Sequence, residues 1–399
     1  MRAHVIGAGI GGPVTAMALQ KAGVDVTVHE AYARTADDLG AFLTLAPNGL
    51  HALGVLGIDQ RDLGGFDTPT MEMRGATGRV LARLPMGAPG GGPTSQTVRR
   101  AGLYTALRTE AARRGIAIEH GHRLVDATTR ADGTVVATFD DGSSAEGDLL
   151  VGADGLDSRT RRILDPHSPA PRYTGLLNTG GFAAGVEVDA EPGVFTMYFG
   201  RRAFFAFTCR APGDVWWFAN VPCTTEATTA QLAAHTPQSW RAELERLFAD
   251  DRSPALDLIA ATPQVLGPWT TTDLPHVPVW HRGAIGLVGD AAHAISPTSG
   301  QGASLAIEDG VLLARCVRDL GDPAAALATF ASLRRRRVER LVAQAKRTSN
   351  LKIPRPVGRA LRDRVILPLV GRVAARATHD WVTDFRIDWS EPVTSAARS

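Results

Sequence analysis

The sequence predicts an α/β fold that combines a parallel sheet, a separate antiparallel sheet and C-terminal helices. Three stretches support this prediction. Within the first 30 residues an apolar strand leads into a glycine turn, a helix and a second strand. Residues 175–222 contain short β-rich segments separated by turn signals, and residues 355–389 show the pattern of amphipathic helices.

The first 30 residues have the pattern of a nucleotide-binding βαβ unit. Gly7, Gly9 and Gly12 follow the first strand at G-x-G-x-x-G spacing, and the second strand ends at Glu30. The first glycine permits a tight turn, the second lets the backbone approach a pyrophosphate, and the third lets the helix pack against the strand. The helix N-terminus attracts phosphate, and Glu30 is placed to bind ribose hydroxyls. The unit therefore predicts a bound dinucleotide in a Rossmann-like domain.

The composition favours a globular protein without a nucleic-acid or membrane partner. The 399 residues are 44% hydrophobic and carry a net charge of only +2, which is too small to attract nucleic acid. Cys209, Cys223 and Cys316 lack the spacing of metal ligands or of a disulfide framework, so no metal site is predicted. No segment reaches the roughly 18 apolar residues of a membrane span. Met1 leads directly into the first strand without a signal peptide, and we expect a cytoplasmic protein.

The segments that follow Glu30 predict loops, short strands and helices. Residues 31–38 are polar and irregular, and residues 39–56 predict a short strand or loop and then a helix that could line a pocket. Weak alternation in residues 71–84 predicts strands of a second sheet, and residues 87–93 form a glycine-proline loop. A helix is expected from Thr97 to the stop at Gly115.

Two further apolar strands end in short acidic motifs. One ends at Asp154-Gly155, with Ser158 and Arg161 at a predicted helix start. The other ends at Gly289-Asp290 and is followed by a loop and a helix that begins near Gly302. The N–H groups at that helix start would face an anionic group. His293 has no partnered serine or cysteine nearby, and we interpret it as a structural residue at the strand-to-loop junction.

Aromatic residues crowd the β-rich region between residues 175 and 222. An antiparallel sheet with aromatics on both faces predicts that one face packs on the core while the other roofs an apolar pocket. Any single ring is equally compatible with core filling. Helices are expected at 231–250 and 253–261, with Trp240, Leu244 and Leu247 as a buried stripe. A basic helix face at Arg334–Arg337 is either solvated or steers a phosphorylated cofactor.

Together, the glycine turn with Glu30, the Asp154-Gly155 motif with Arg161, and the stretch from Gly289 to Gly302 resemble the single-component FAD monooxygenases of the para-hydroxybenzoate hydroxylase type. The resemblance covers most of residues 1–345. It implies a discontinuous FAD-binding domain, an antiparallel substrate domain, and a C-terminal helical segment and tail. The implied ranges are 1–72, 97–174 and 270–345 for the first, 73–96 and 175–269 for the second, and 346–399 for the third.

The resemblance also implies a set of cofactor-binding residues. The glycine turn would hold the FAD pyrophosphate, Glu30 the adenosine ribose, and Arg100 the ribityl or phosphate side. Asp290 would bind the ribityl chain, and Pro297 with the backbone of 300–303 would flank the isoalloxazine. Gly102 departs from the family pattern, which often has Asp there. The implied set is Gly7, Gly9, Gly12, Glu30, Arg100, Leu124, Asp154, Asp290, Pro297, Gly300, Gly302 and Ala303.

The activity implied by the resemblance is hydroxylation of an aromatic or polycyclic small molecule, in natural-product tailoring or degradation. NAD(P)H would reduce FAD, O2 would form a flavin C4a-hydroperoxide, and the protein would exclude water and position the substrate. NADPH is favoured by the arginine-rich face, and a monomer or homodimer is expected. Tyr198 is the candidate phenol-activating group, and Pro297 is included with it as a catalytic residue. The substrate candidates are Phe42, Leu43, Pro47, Tyr198, Phe205, Phe207, Trp217 and Asn220.

Other functions remain compatible with these motifs. A Baeyer–Villiger or epoxidising monooxygenase would use the same cofactor chemistry. A flavin-dependent halogenase is disfavoured, because it needs a lysine to capture hypohalous acid and Lys21 is the only lysine before residue 346. A non-catalytic FAD-binding protein is the alternative from another class, and it predicts a flavin that NAD(P)H does not reduce.

Overall fold

The computed structural model describes residues 1–33, 41–87, 92–274, 276–351, 358, 361–369 and 380–393. Parts of the irregular segment 31–38, of the loop 87–93 and of the C-terminal segment 346–399 therefore lie outside the described residues. The helices are Gly11–Lys21 (α1), Pro47–Val55 (α2), Arg100–Arg113 (α3), Arg159–Leu164 (α4), Thr229–Ala233 (α5), Pro237–Phe248 (α6), Ala255–Ala260 (α7), Asp290–His293 (α8), Gly302–Leu320 (α9) and Pro323–Leu351 (α10).

The strands of the described residues are Arg2–Ile6 (β1), Asp25–Glu30 (β2), Phe42–Leu45 (β3), Phe66–Asp67 (β4), Thr70–Gly75 (β5), Val80–Pro85 (β6), Gln96–Arg99 (β7), Ala117–His120 (β8), Leu124–Thr129 (β9), Val135–Phe139 (β10), Ser144–Gly147 (β11), Leu149–Gly152 (β12), Arg172–Ala184 (β13), Val194–Phe199 (β14), Phe204–Ala211 (β15), Asp214–Pro222 (β16), Leu266–Asp273 (β17), His281–Arg282 (β18) and Ile285–Leu287 (β19). Short 3-10 turns lie at Gln60–Leu63 and Pro297–Ser299.

A six-stranded sheet in the order β18-β19-β12-β1-β2-β8 carries the predicted βαβ unit. Its strands are parallel except for the edge pair of β18 and β19. The apolar runs of β1 and β12 are almost fully buried, as expected for strands covered on both faces. Helices α1 and α9 cross closely, because a Cβ at Gly310 would lie only 2.9 Å from the backbone of Thr15.

The carboxyl ends of four parallel strands meet at one edge of this sheet. Ile6 at the end of β1 pairs with His29 of β2 and with Gly152 of β12, and Gly152 pairs with Leu287 of β19. The residues that follow these strands therefore come together, as is usual for ligand sites in open α/β sheets. We call this edge the carboxyl edge.

A seven-stranded sheet in the order β17-β13-β16-β15-β14-β5-β6 forms the second layer. One face, the back face, packs on α6 and α7, where Trp240 and Leu244 are buried as the helical stripe predicts. Two indole N–H groups close this face: Trp240 Nε1 donates to Thr179 Oγ1 at 2.9 Å, and Trp217 Nε1 donates to Thr262 Oγ1 at 2.8 Å. The back face is therefore a closed core.

The opposite face of the same sheet, the front face, is aromatic as well. In the antiparallel register Phe204, Ala206 and Thr208 of β15 lie beside Asn220, Phe218 and Trp216 of β16. Directly paired residues share a face, and successive residues alternate between faces. The front-face residues include Asn178, Phe182, Phe195, Met197, Phe199, Phe204, Ala206, Thr208, Trp216, Phe218 and Asn220.

A small sheet of β3, β7 and β4 connects the two layers. The segment Thr97–Arg99, expected as a helix start, is a strand because it pairs with β3, and α3 begins only at Arg100. Along β3 the side chains alternate. Phe42 packs with a hydrophobic cluster that includes Phe195, Phe199 and Phe204, which we call the front-face cluster. Leu43 packs with the core of the parallel sheet.

The described C-terminal residues contact both layers. Leu367, next to a π-helical turn at Arg362–Ile366, packs with the front-face cluster. Val382 and Ile387 instead pack with the core of the parallel sheet. None of the described helices is both long enough and apolar enough to cross a membrane.

Candidate functional site

The glycine turn after β1 has the geometry that its spacing predicts. Gly7 adopts φ +103°, and its N–H donates to the carbonyl of His29 at 2.7 Å. A Cβ at Gly12 would lie 1.8 Å from the Gly7 carbonyl oxygen, so only glycine fits there. A Cβ at Gly9 would meet no atom within 4 Å. The turn thus leaves open space beside the start of α1, where a pyrophosphate fits.

Two helices direct N-termini without side-chain caps toward the carboxyl edge. Neither Ile10 before α1 nor Gln301 before α9 provides a capping side chain, and neither helix has an acid in its first turn. The free N–H groups and the helix dipole favour a negative group at each end. Gly300 takes φ +65° at the end of the turn that starts at Pro297, and α9 begins at Gly302 as predicted. Ala303 lies half-buried in the first turn of α9.

Glu30 is fixed beside the glycine turn. Its carboxylate accepts hydrogen bonds from the backbone N–H of Ala8 at 2.7 Å and of Tyr32 at 3.1 Å. This position at the end of β2 is the one expected for a ribose contact. Leu124, by contrast, is buried in the hydrophobic core, so only its backbone can contact a cofactor.

Asp154 organises the loop after β12. Its carboxylate accepts hydrogen bonds from Ser158 Oγ at 2.6 Å and from the backbone and hydroxyl of Thr160 at 2.9 and 3.0 Å. Arg161 is buried and donates to the carbonyls of Leu156 at 2.7 Å and Ala291 at 3.1 Å. Burial lowers the pKa of Arg161. Through Arg161 this loop is joined to the loop after β19, a connection that the sequence does not reveal.

Asp290 and Arg100 lie on two elements beside the space beyond the carboxyl edge, which we call the cleft. The carboxylate of Asp290 opens onto the cleft, yet protein surrounds it, and this desolvation raises its pKa although His293 and Arg100 act in the opposite direction. Arg100 is exposed at the start of α3 and donates from Nε to the hydroxyl of Tyr104 at 2.8 Å. The guanidinium of Arg100 therefore lies near enough to favour the charged form of Asp290.

A buried charge cluster is bonded to the loop after β19, which borders the cleft. Its members are His293, Glu308, Asp309, Arg334 and Arg337. Asp309 accepts from the backbone N–H of Gly289 at 2.8 Å, pairs with His293 Nε2 at 2.6 Å and accepts from Arg334 Nε at 2.5 Å. The contact with Asp309 gives His293 a structural role at the strand-to-loop junction.

Glu308 completes the cluster. It pairs with Arg334 and, at 3.2 Å, with Arg337, and it accepts from Asn48 Nδ2 at 2.5 Å. Burial alone would raise the pKa of Asp309, but His293 and Arg334 hold it far below its usual range. Arg334 is fully buried and Arg337 is 11% exposed, so these two arginines do not form the solvated or cofactor-steering face considered from the sequence.

The corner between β3 and α2 joins the front face to the start of α9. The Ala46 N–H donates to Ser304 Oγ at 3.1 Å, and Pro47 is the buried first residue of α2. On the other side, the Phe42 ring lies 5.8 Å from Trp216 and 6.0 Å from Phe218 between centroids. The front face and the uncapped end of α9 therefore border one cleft.

An exposed cation, Arg99, lies against the aromatic front face. The Arg99 guanidinium carbon sits 4.4 Å from the centroid of Phe182 and 5.4 Å from that of Trp216. Arg99 is exposed and has no acidic partner within the part of the chain that the structure describes. A cation held by cation–π contacts at the mouth of the cleft can bind an anionic or carbonyl oxygen.

The structure does not bring four of the proposed substrate residues to this cleft. Tyr198, Phe205, Phe207 and Trp217 lie on the back face, inside the core formed with α6 and α7. Burial raises the pKa of Tyr198, and its ring lies beside Arg74, with centroid and guanidinium carbon 6.0 Å apart.

Three of the other four proposed substrate residues lie in or next to the cleft region, and Leu43 does not. Phe42 lies against the front face, and Pro47 lies at the corner described above. Leu43 points to the core of the parallel sheet. Asn220 is on the front face, where its amide donates to Asn178 Oδ1 at 3.1 Å.

Sequence reasoning missed Phe182, Trp216, Phe218 and Arg99. Consecutive aromatic residues at 216–218 hide the phase of the alternation, because both faces of the sheet are aromatic. The stripe on α6 showed that one face is covered, but nothing in the sequence tells which face that is.

The different surroundings of Gly9 and Gly12 predict different effects of the same substitution. Gly12→Ala should destabilise the cofactor-free protein by about 1–3 kcal/mol, because the new methyl group collides with Gly7. Gly9→Ala should unfold like the wild type but bind FAD more weakly, because its methyl group occupies the phosphate space. Chemical denaturation and FAD titration measure the two effects. Equal stability of Gly12→Ala and wild type, or unchanged FAD affinity of Gly9→Ala, would contradict this assignment.

Known proteins match this chain over most of its length. The model of the FAD binding domain family matches residues 1–345. The FAD-dependent urate hydroxylase of Klebsiella pneumoniae is 32% identical over 88% of this chain and 90% of its own length. The 6-hydroxynicotinate 3-monooxygenase of Pseudomonas fluorescens is 31% identical over 80% and 83%, respectively.

A solved structure matches the fold over nearly its whole length. The crystal structure of Klebsiella pneumoniae HpxO complexed with FAD and uric acid has a TM-score of 0.82 and 28% identity, covering 94% of this chain and 95% of that one. The family match and the sequence identity to the relatives show that the chain belongs to this FAD-binding family of single-component flavin enzymes, and that the protein is an FAD-dependent monooxygenase.

Proposed function

We propose that the protein hydroxylates an aromatic or heteroaromatic small molecule bound between the flavin and the front face. The observation that carries the proposal is the aromatic wall of Phe42, Phe182 and Phe218, whose half-buried rings border the cleft at the uncapped end of α9. Rings of this kind bind a flat apolar ligand and exclude water from it.

The cleft suits FAD along its whole length. The glycine turn and α1 would hold the pyrophosphate, Glu30 the ribose, and Asp290 with Arg100 the ribityl and phosphate groups. Pro297 and the N–H groups of residues 300–303 would contact the isoalloxazine. Asp154 would act through the loop that it organises. Bound FAD supplies hydride acceptance and activation of O2, so that substrate, O2, NAD(P)H and a proton give hydroxylated product, water and NAD(P)+.

The N-terminus of α9 has an electrostatic role in this scheme. With FAD bound, the free N–H groups and dipole of α9 would stabilise negative charge on the flavin, and the buried charge cluster fixes the helix. The remaining work of the protein is to position the substrate and exclude water.

Arg99 indicates the class of substrate. Its guanidinium would bind an acidic or carbonyl oxygen on a ring stacked near Phe182 and Trp216. Relatives named for urate and 6-hydroxynicotinate support an oxygenated heteroaromatic substrate of this kind. This class lies within the aromatic small molecules expected from the sequence, and it supports a role in tailoring or degrading such compounds.

The proposed reductant is NAD(P)H. The expectation of NADPH rested on the arginine-rich helix, where Arg334 and Arg337 are internal. Comparison of the two nicotinamides is therefore part of the functional test.

The functional test is anaerobic reduction of the bound flavin. Purified holoprotein mixed with NADH or NADPH in a stopped-flow instrument should lose flavin absorbance near ~450 nm. One or more oxygenated heteroaromatics should accelerate this loss, because a bound substrate completes the cleft. A second mix with O2 should yield the hydroxylated compound. Flavin that neither nicotinamide reduces, with or without these compounds, would refute the proposal and favour a non-catalytic flavoprotein.

The two faces of the seven-stranded sheet provide a matched pair of variants. Phe218→Leu on the front face should raise KM for the accelerating substrate about three- to tenfold, because a ring contact worth about 0.5–1.5 kcal/mol is lost. Phe207→Leu on the back face should lower the free energy of unfolding by about 1–2 kcal/mol with KM unchanged. Steady-state kinetics and denaturation curves separate these effects. If Phe207→Leu instead changed KM and Phe218→Leu did not, the substrate would not lie on the front face.

A further inference from the structure

Two imidazoles and a carboxylate converge where β2 and β8 end, at the outermost strand pair of the parallel sheet. They belong to His29 on β2, Glu119 on β8 and His122 just after β8. His29 Nδ1 lies 3.3 Å from His122 Nδ1 and 3.4 Å from Glu119 Oε2, and His122 Nδ1 lies 3.1 Å from Glu119 Oε2. We call these three atoms the imidazole–carboxylate triangle.

The dimensions of the triangle match a tetrahedral metal ion. Zn²⁺ bound at about 2.0–2.1 Å by nitrogen and oxygen holds its ligand atoms about 3.3–3.4 Å apart. All three edges of the triangle lie close to this value. In a cluster held by hydrogen bonds alone, each proton needs only one short contact, and the three distances need not be equal. Three nearly equal distances therefore favour a shared metal ion over hydrogen bonding alone.

The hydrogen bonds of His4 direct a lone pair into the triangle. His4 Nε2 lies 3.1 Å from the Glu146 carbonyl, which can only accept, so His4 carries its proton on Nε2. His4 Nδ1 then accepts from His29 Nε2, 3.0 Å away. His29 consequently carries its proton on Nε2, and its unprotonated Nδ1 faces His122 and Glu119. Metal-bound histidines are oriented in this way by a partner on the other ring nitrogen.

The exposure of the three residues also suits a metal ion. The side chain of His29 is only 2% exposed, so its ring is shielded from water. The side chains of His122 and Glu119 are 25% and 46% exposed, which leaves a path for an ion and water. Asp141 Oδ2 lies 3.8 Å from His122 Nε2, the ring nitrogen that does not face the triangle.

We propose that His29, Glu119 and His122 bind a divalent transition-metal ion of the Zn²⁺ class, with water in the fourth position. Two imidazole nitrogens and one carboxylate favour such an ion over Mg²⁺ or Ca²⁺, which prefer oxygen ligands. The sequence analysis predicted no metal site, because His29 is about 90 residues from the other two ligands and only the pairing of β2 with β8 brings them together.

The ion would clamp the adenosine end of the cofactor site without entering the oxidation chemistry. The carbonyl of His29 accepts from Gly7, and the N–H of His122 donates to the Glu30 carbonyl at 2.9 Å. An ion held by His29 and His122 therefore fixes the end of β2, from which both the glycine turn and Glu30 are positioned. This inference is independent of the substrate proposed above.

The test is zinc binding by the FAD-loaded, full-length protein after removal of metal with a chelator. Isothermal titration with ZnCl2 compares the wild type with Glu119→Gln and His122→Asn. The control is His120→Asn, an exposed histidine on the same strand whose ring faces the Tyr32 carbonyl. Unfolding temperatures with and without zinc give a second readout. FAD content and metal-free unfolding temperature confirm that each variant is folded.

We expect the wild type and His120→Asn to bind a single equivalent of Zn²⁺ with equal affinity and to gain thermal stability from it. His122→Asn and Glu119→Gln should bind at least about tenfold more weakly. The absence of zinc binding by the wild type would overturn the proposal. Wild-type affinity in both variants would also overturn it, because the ion would then bind elsewhere.

Discussion

The contact between Asp309 and Arg334 is the interaction on which the rest of the site depends. Both side chains are fully buried, and Asp309 also holds Gly289 and His293 of the loop after β19. This one carboxylate therefore joins α9, α10 and the loop that carries Asp290. A buried ion pair costs desolvation and is a poor source of net stability, but loss of one partner leaves an uncompensated charge. The pair thus fixes one arrangement of these elements.

The cleft is formed where this fixed arrangement meets two other constraints. The close approach of Gly12 to Gly7 sets the start of α1, and the β3–α2 corner ties the front face to Ser304 on α9. Phosphate, ribose and flavin groups can therefore be held along one line from the glycine turn to the aromatic wall. Catalysis in this arrangement needs positioning and exclusion of water, which explains why the cleft contains helix ends and rings and no nucleophile with a partnered base among the described residues.

Local patterns predicted the parallel-sheet part of the protein well and the aromatic sheet only in part. The G-x-G-x-x-G turn, Glu30 and the start of α9 depend on short-range geometry, so spacing alone located them. Which face of the aromatic sheet is buried depends on the side that α6 covers, and this is a contact between residues far apart in the sequence. This contact buries Tyr198, Phe205, Phe207 and Trp217 in the core. The run at 334–337 was similarly ambiguous, because its partners Glu308 and Asp309 come from another helix.

The most direct test of this account is the FAD affinity of Asp309→Asn. The account predicts at least tenfold weaker FAD binding and a loss of about 3–5 kcal/mol in the free energy of unfolding, because the buried cluster loses one of its two carboxylates and keeps both arginines. Asp250→Asn is the matched control, since it breaks an exposed pair with Arg202 that contributes at most about 1 kcal/mol. Wild-type FAD affinity in Asp309→Asn would contradict the claim that FAD binding depends on the buried charge cluster.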